Sequence, residues 1–405
     1  MLSPEDIDFI KTHSNEDSTK LLLSAQKYPR LNVRFLTSII EGKKKIALKV
    51  PEWEERFDLC YPSILSVEQC SSSYTAKYKS RFFEGRDVVD ITGGLGVDSF
   101  FISEVAKSIV YIERNKELFE CVKYNFDRLG VSNAEYINKE VKDRCNLEIL
   151  SKEKVYTIYA DPSRRGQSDN RIFNPSDYEP DMQKLMKFLL EISERIVIKI
   201  SPMADISALI KSFGLVSEIV IVSVFNECKE ILIIIDREQK THPLPPEKVK
   251  LLAVNLDKQT KNWDNFEWSL LEERQSKACI TTPKKGFHLY EPNSSILKGG
   301  AFKLLSNRYP AGKISINSHL YTSSDKITDF PGRTFIIEDI LEFDKKNIKA
   351  IQLRYPKANV STRNFPLSPP ELKDRLGIKD GGEIFLFGTL FNDNSKNILV
   401  CKKGL

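Results

Sequence analysis

The chain has 405 residues, 41% hydrophobic and 29% charged, which excludes a disordered or low-complexity protein and leaves room for two or three domains. Its seven cysteines, at 60, 70, 121, 145, 228, 279 and 401, form no CxxC, and four scattered histidines add no ligand spacing, so neither a disulfide framework nor a metal site is expected. The net charge of +5 is uneven: residues 241–405 hold 26 Lys and Arg against 18 Asp and Glu, a net of +8, which leaves −3 on residues 1–240 and suggests an anionic partner for the C-terminal part. The start, MLSPEDIDFIKTHSNEDS, is no signal peptide, and apolar runs such as 219–222 and 231–235 are too short to cross a bilayer. A cytoplasmic chain with no membrane partner is expected.

Residues 1–80 read as a helical module. Leu21, Leu22, Ala25, Tyr28 and Leu31 recur at near-helical spacing, and Phe35, Ile39 and Ile40 continue the stripe. A basic run at 43–45 follows; packing or a lid is the plain role, a grip on an RNA backbone the alternative. The polar cluster at 68–73 precedes a helix carrying Thr75, Tyr78 and Phe82. Gln69 and Thr75 stand just upstream of a glycine loop and are placed to fold over its ligand, although 71–73 serve equally well as helix caps.

Residues 81–240 alternate strands and helices. Strands are expected at 88–91, 109–112, 134–137, 155–160, 196–200, 219–224 and 231–235, the last two joined as a hairpin. This is an α/β domain with a mostly parallel seven-stranded sheet and one antiparallel strand. Beyond it, residues 241–329 and 330–405 read as two small α+β domains. In the first, strands are expected near 251–256, 266–271 and 313–318 with a helix at 297–305. In the second, strands are expected at 334–337 and 351–353, then a helix at 370–376 and a hairpin from 383–390 and 397–401.

The stretch DVVDITGGLGVDSF is a strand, a tight turn and a helix start. A dinucleotide loop wants GxGxxG, but Ser99 occupies the third glycine position. Asp90 instead ends the strand, four residues before Gly94. An acid followed by Gly94 and Gly96 suits a cofactor with an ammonium group, which favours S-adenosylmethionine (SAM) over NAD. Glu113 ends the next strand and can accept both ribose hydroxyls; Arg114 after it is expected to face solvent. Asn138 and Glu140 both qualify to meet the adenine amine.

The fourth strand runs into ADPSRRG, so Asp161 projects beyond a carboxyl strand end, where ligands of open α/β sheets sit. Asp161, with Pro162, is expected to position an acceptor amine for in-line attack. Arg164 and Arg165 suit phosphate contact or stacking on a base. The next strand ends in KISPM with no cysteine, and Cys228 reads as buried filler in the hairpin turn, so covalent catalysis is disfavoured.

DITGGLGVD, YIERN, ADPSRRG, EQCSSSYTAKYK, LYEPNSSILKGGAF, SHLYTSSD, FPGR and NFPLSPPEL together make the chain similar to one group along almost its whole length. It resembles the class I SAM-dependent methyltransferases that carry a ferredoxin-like domain and a C-terminal THUMP-like domain. The resemblance implies a Rossmann-like sheet and an RNA methyltransferase acting on structured RNA, tRNA or rRNA. It also implies SAM contacts from Asp90, Thr92, Gly94, Gly96, Asp98, Glu113, Glu140, Gln69 and Thr75. A methyltransferase for protein or small molecules, and a non-catalytic RNA-binding protein of this fold, are the alternatives.

Overall fold

Short apolar runs flanked by turn residues become strands in this chain, and the amphipathic segments between them become helices. The structure, a computed structural model, describes residues 1–143, 147, 150, 155–164, 178–257 and 264–404. They fall into two units, Met1–Ile219 with Lys229–Pro246, and Val220–Cys228 with Glu247–Leu405.

The first unit begins with helices α1 (Pro4–His13), α2 (Ser18–Leu23), α3 (Val33–Lys49), α4 (Ile64–Gln69) and α5 (Ser73–Ser80). The α3 stripe of Leu36, Ile39, Ile40 and Ile46 is buried, in one core with Trp53, Tyr61, Leu95, Phe101 and Tyr124. Residues 1–80 thus share a core with the helices beside the glycine loop. The basic run bonds to the chain itself, Lys43 buried and Lys44 and Lys45 exposed. The Lys43 ammonium donates to the Glu54 and Arg56 carbonyls, Lys44 to the Glu16 carbonyl at 2.7 Å, and Lys45 pairs with Glu68. These bonds hold the chain to itself and favour the packing role.

The sheet is built from β1 (Asp87–Asp90), α6 (Val97–Ser103), β2 (Ser108–Ile112), α7 (Lys116–Leu129), β3 (Ala134–Ile137), β4 (Tyr156–Ala160), α8 (Met182–Ile192), β5 (Ser193–Ile200), α9 (Ile206–Phe213), β6 (Glu218–Val224) and β7 (Glu227–Asp236). β1 lies parallel between β2 and β4, β3 flanks β2, β5 flanks β4, and β7 runs antiparallel to β5. The order is β7-β5-β4-β1-β2-β3. The start of β6 lies in this unit beside β7, where the Ser217 amide donates to the Ile234 carbonyl at 2.9 Å. This is the mostly parallel α/β sheet of a class I methyltransferase, with its one antiparallel strand. The hairpin is tighter than expected. Phe225 and Asn226 both take positive φ, 51° and 63°, so two residues turn the chain. Cys228 therefore stands in β7, half-buried, and not as buried filler in a turn.

The second unit opens with an antiparallel pair, β8 (Lys250–Leu256) and β9 (Asp264–Ser269), followed by α10 (Leu270–Gln275). Then come β10 (His288–Pro292), α11 (Ser294–Gly299), α12 (Leu304–Arg308), β11 (Tyr321–Ser323) and β12 (Gly332–Glu342). The chain ends with α13 (Lys345–Arg354), β13 (Asn359–Arg363), α14 (Pro369–Leu376), β14 (Ile384–Leu390) and β15 (Lys396–Lys403). Counting the two-residue strand Gly312–Lys313 on the edge of β11, seven strands form one sheet in which β10 pairs with β12, from Pro292 opposite Gly332 to His288 opposite Ile336. The expected boundary near 330 thus falls on a continuous sheet. Glu291, fully buried, pins the joint by pairing with Arg333 and, at 2.7 Å, with Arg363.

Three local expectations fail here, the first being the strand near 313–318, of which only Lys313 is in a strand while 314–318 form bends and turns. Residues 351–353 are helical, inside α13, because Asp344 caps that helix by accepting from the Asn347 amide at 2.8 Å. The helix expected at 297–305 is broken in two by Gly300 at φ 85°.

Candidate active site

The turn after β1 is fixed by its own side chains. Asp90 is buried; it accepts from the Thr92 amide at 2.9 Å and the Ser99 hydroxyl at 2.5 Å. Ser99 therefore fills the third glycine position with a hydroxyl that anchors the strand-end acid, a role its spacing did not reveal. Burial, against the pull of those two bonds, pushes the Asp90 carboxyl up to about 7.

The two glycines do different work. Gly94 has φ 57° and a Cβ there meets no side chain within 4 Å, so a ligand can approach the loop closely, while its N–H goes to Glu113 and its carbonyl accepts from the Tyr111 hydroxyl at 2.6 Å. A Cβ on Gly96, at φ 76°, would stand 2.7 Å from a Val122 methyl, so Gly96 is needed for packing against α7. Gly96→Ala should cost about 2–4 kcal/mol of stability by denaturant unfolding, from overpacking and left-handed strain together. Gly94→Ala should cost about 1 kcal/mol and act mainly on ligand affinity.

At the end of β2 the Glu113 carboxylate accepts from the Gly94 amide at 2.9 Å and the Asn115 amide at 2.7 Å. It is thereby aimed across the loop, with lone pairs left for two hydroxyls. Asn138 is turned away; its amide donates to the Glu113 carbonyl at 2.7 Å. Glu140 lines the cavity instead, bridged to Arg114 at 3.1 Å and Lys142 at 2.7 Å. Arg114 is half exposed, as expected, yet it also pairs with Glu179 at 3.0 Å.

Asp161 follows β4, and its amide donates to the Thr92 hydroxyl at 2.6 Å, so the β1 turn positions the β4 acid. Its carboxylate takes Lys199, from the end of β5, at 2.6 Å. Below them lies a charge network. Lys79, fully buried on α5, binds Glu230 of β7 at 2.7 and 2.8 Å and Asp98 at 3.1 Å. Asp98 also accepts from Ser71 at 2.8 Å and from the buried Tyr159 hydroxyl at 2.7 Å. Burial disfavours the Asp98 charge, but Lys79, Lys199 and the two hydroxyls outweigh it and hold the carboxyl below its usual range. Burial also works against the Lys199 cation, and Asp161, Asp98 and Glu230 overcome that and raise it.

Asp90, Asp98, Glu113, Glu140, Asp161 and Lys199 line one cavity of about 490 Å³, within the size range of small-molecule sites. Of the expected residues, Asp90, Thr92, Gly94, Gly96 and Asp98 line it from the loop. Gln69, Glu113, Glu140 and Asp161 line the rest. Thr75 does not; it is buried in the first turn of α5 and donates to the Ser72 carbonyl at 3.2 Å. Pro162 is buried behind the lining. The Arg164 side chain and Arg165 lie outside the described residues, while the Arg164 backbone pairs with Tyr178. Lys199, Lys79 and Glu230 were missed. Lys199 had a signal, since it stands at a strand end beside Asp161; a lone Lys in YTAKYKS and a Glu in a hairpin had none.

Cys70 lines the cavity too, but burial pushes its thiol up to about 11, so it is not a nucleophile near neutral pH. Among the described residues no group of three or more His, Cys, Asp or Glu could hold a metal ion, and no helix is long and apolar enough to cross a membrane. The cradle suits a nucleoside cofactor. Gly94 leaves room for close approach, Glu113 is poised for hydroxyls, and among the lining residues Asp90, Asp98 and Asp161 outnumber Lys199, which suits a cation.

Sheet order and strand-end acids define a class I methyltransferase fold. Residues 288–331 match a ferredoxin-like domain family and residues 332–403 a THUMP-like domain family. The crystal structure of a candidate methyltransferase from Porphyromonas gingivalis W83 is 35% identical, with a TM-score of 0.89 over 99% of this chain and 98% of that one. The chain belongs to this family of class I methyltransferases with ferredoxin-like and THUMP-like domains. An uncharacterized RNA methyltransferase of Mycoplasma mobile is 31% identical over 35% of this chain and 39% of its own length. Another, of Clostridium acetobutylicum, is 24% identical over 45% of this chain and 38% of its own. The chain thus spans about two fifths of the length of the curated relatives it matches.

Proposed function

We propose that this protein is a SAM-dependent methyltransferase that methylates a base of structured RNA, tRNA or rRNA, by direct non-covalent transfer. The observation that carries the reading is one cavity in which Gly94 and Glu113 face Asp161 across the carboxyl ends of β1, β2 and β4. Two RNA methyltransferases among the relatives, the THUMP-like domain and the basic residues 241–405 support RNA as the substrate. When bound, SAM supplies an electrophilic methyl on a sulfonium. The chain's residues do the rest. Glu113 takes the ribose hydroxyls, Glu140 the adenine edge and Asp90 the ammonium; Gln69 closes from α4, and Asp161 holds the acceptor in line with the methyl. The high thiol of Cys70 favours transfer without a covalent enzyme adduct.

Asp90 gives the site a pH signature. Its carboxyl sits near 7, and it must be ionised to neutralise an ammonium, so binding expels a proton at lower pH. SAM affinity by calorimetry should therefore fall about tenfold per pH unit below 7 and level off above it. Asp90→Asn should bind about 10–100-fold more weakly with that pH dependence gone. An Asp90→Asn protein with unchanged affinity would remove Asp90 from the site. For the function itself, tRNA and rRNA modification should be mapped by position with and without the protein. Loss of one methyl mark is expected; no lost mark would overturn the RNA reading.

A further inference from the structure

The geometry points to a ring nitrogen of a lactam base, guanine or uracil, as the methyl acceptor, with Asp161 accepting its N–H and Lys199 donating to the neighbouring carbonyl oxygen. This rests on the RNA-methyltransferase reading and narrows it from any base to one class. The starting observation is the pairing of opposite hydrogen-bonding groups at adjacent strand ends. The Asp161 carboxylate is acceptor only, the Lys199 ammonium is donor only, they touch at 2.6 Å, and both line the cavity. Among the described residues Asp161 is the one hydrogen-bond acceptor of Lys199, which has three donors. A lactam presents the complementary pair, N–H beside C=O.

Donor and acceptor alone would also fit the amine edge of adenine or cytosine, and charge decides between them. Lys199 is held as a cation by Asp161, Asp98 and Glu230, against the like charges of Lys49 and of Lys79, which shares Asp98 and Glu230 with it. In the lactam step the ring N–H proton passes to Asp161, and the negative charge spreads onto the carbonyl oxygen facing Lys199. The nitrogen lone pair then forms the N–CH₃ bond as the C–S bond breaks, its electron pair leaving on sulfur as a neutral thioether. Asp161 afterwards returns the proton to water. Once Asp161 is protonated, Lys199 lacks its partner, and the lactam oxygen supplies the replacement anion. An exocyclic amine supplies none and instead gathers positive charge as it attacks. At a partly buried site opposite charges attract far more strongly than in water, and this separates the two acceptor classes.

The test joins product analysis to binding. The full-length protein is incubated with SAM and RNA from cells lacking its gene, and the nucleosides gained are identified by mass spectrometry. An N-methylated guanine or uracil ring is expected. A methyl on an exocyclic amine, a carbon or a ribose overturns this inference while leaving the RNA reading intact, whereas no methyl in RNA at all overturns both. A second arm needs no turnover. Protein loaded with S-adenosylhomocysteine is titrated with GMP, UMP, AMP and CMP by NMR. Lys199→Met should weaken GMP or UMP at least fivefold and leave AMP and CMP unchanged, and Lys199→Arg, which keeps the cation, should restore most of the loss. Equal weakening of all four nucleotides would reduce Lys199 to a structural role and contradict the proposal.

Discussion

Asp161→Asn should slow methyl transfer about 10³-fold while SAM affinity stays within about threefold. Asparagine keeps the size of the side chain and can still accept from Lys199, and the backbone bond from the Asp161 amide to Thr92 is untouched. What disappears is the charge that accepts the acceptor's proton. Single-turnover transfer at saturating RNA, with calorimetry for SAM, separates the two quantities. A parallel fall in rate and affinity would mean that Asp161 shapes the cavity and takes no part at the reacting atom. An unchanged rate would remove it from the chemistry.

The second large effect is on stability. Lys79 has a side chain of 0% exposure and faces Glu230 and Asp98, which are 3% and 10% exposed. Lys79→Met removes the ammonium and strands two buried carboxylates, so it should cost about 3–5 kcal/mol in denaturant unfolding. The sign with pH follows. Burial raises the Glu230 carboxyl even with Lys79 present, and removing Lys79 raises it further and shifts Asp98 upward as well. The stability linked to their neutral forms is then complete below about pH 4 and lost as pH rises through the raised values. The penalty should accordingly be larger at pH 8 than at pH 5. A loss below about 1 kcal/mol at pH 8 would show that the network relaxes with little cost. The same variant should also disturb Lys199 and Asp161, since Asp98 serves both lysines.

The parts of this molecule that could be read from the sequence are those set by local periodicity. The run from Val88 to Asp90, the turn through Gly94 and Gly96 and the acid Glu113 form a contiguous unit, and their roles follow from neighbours in the chain. The mostly parallel sheet could be read because strands joined by helices return in the same direction. Glu291 with Arg333 and Arg363, and Lys79 with Glu230, join residues far apart in sequence, 151 positions in the second case, and no local pattern announces them. Thr75 stands near the loop in sequence, yet it is buried in the first turn of α5, where its hydroxyl donates to the carbonyl of the capping Ser72. The 351–353 run was too short to separate strand from helix, and Asp344 decided the matter from seven residues upstream. Gly96 lines the cavity, and its tightest constraint, Val122 on the following helix, has no local signature.

The most direct measurement of the central claim is transfer of a labelled methyl group from SAM to RNA by the purified protein, with tRNA and rRNA taken from cells lacking its gene. The cavity described above predicts label in one RNA species, strongly reduced by Asp161→Asn and by Glu113→Ala. Label that reaches no RNA, while calorimetry shows SAM bound and Glu113→Ala abolishes that binding, would contradict RNA as the substrate. Absence of SAM binding altogether would contradict the site itself.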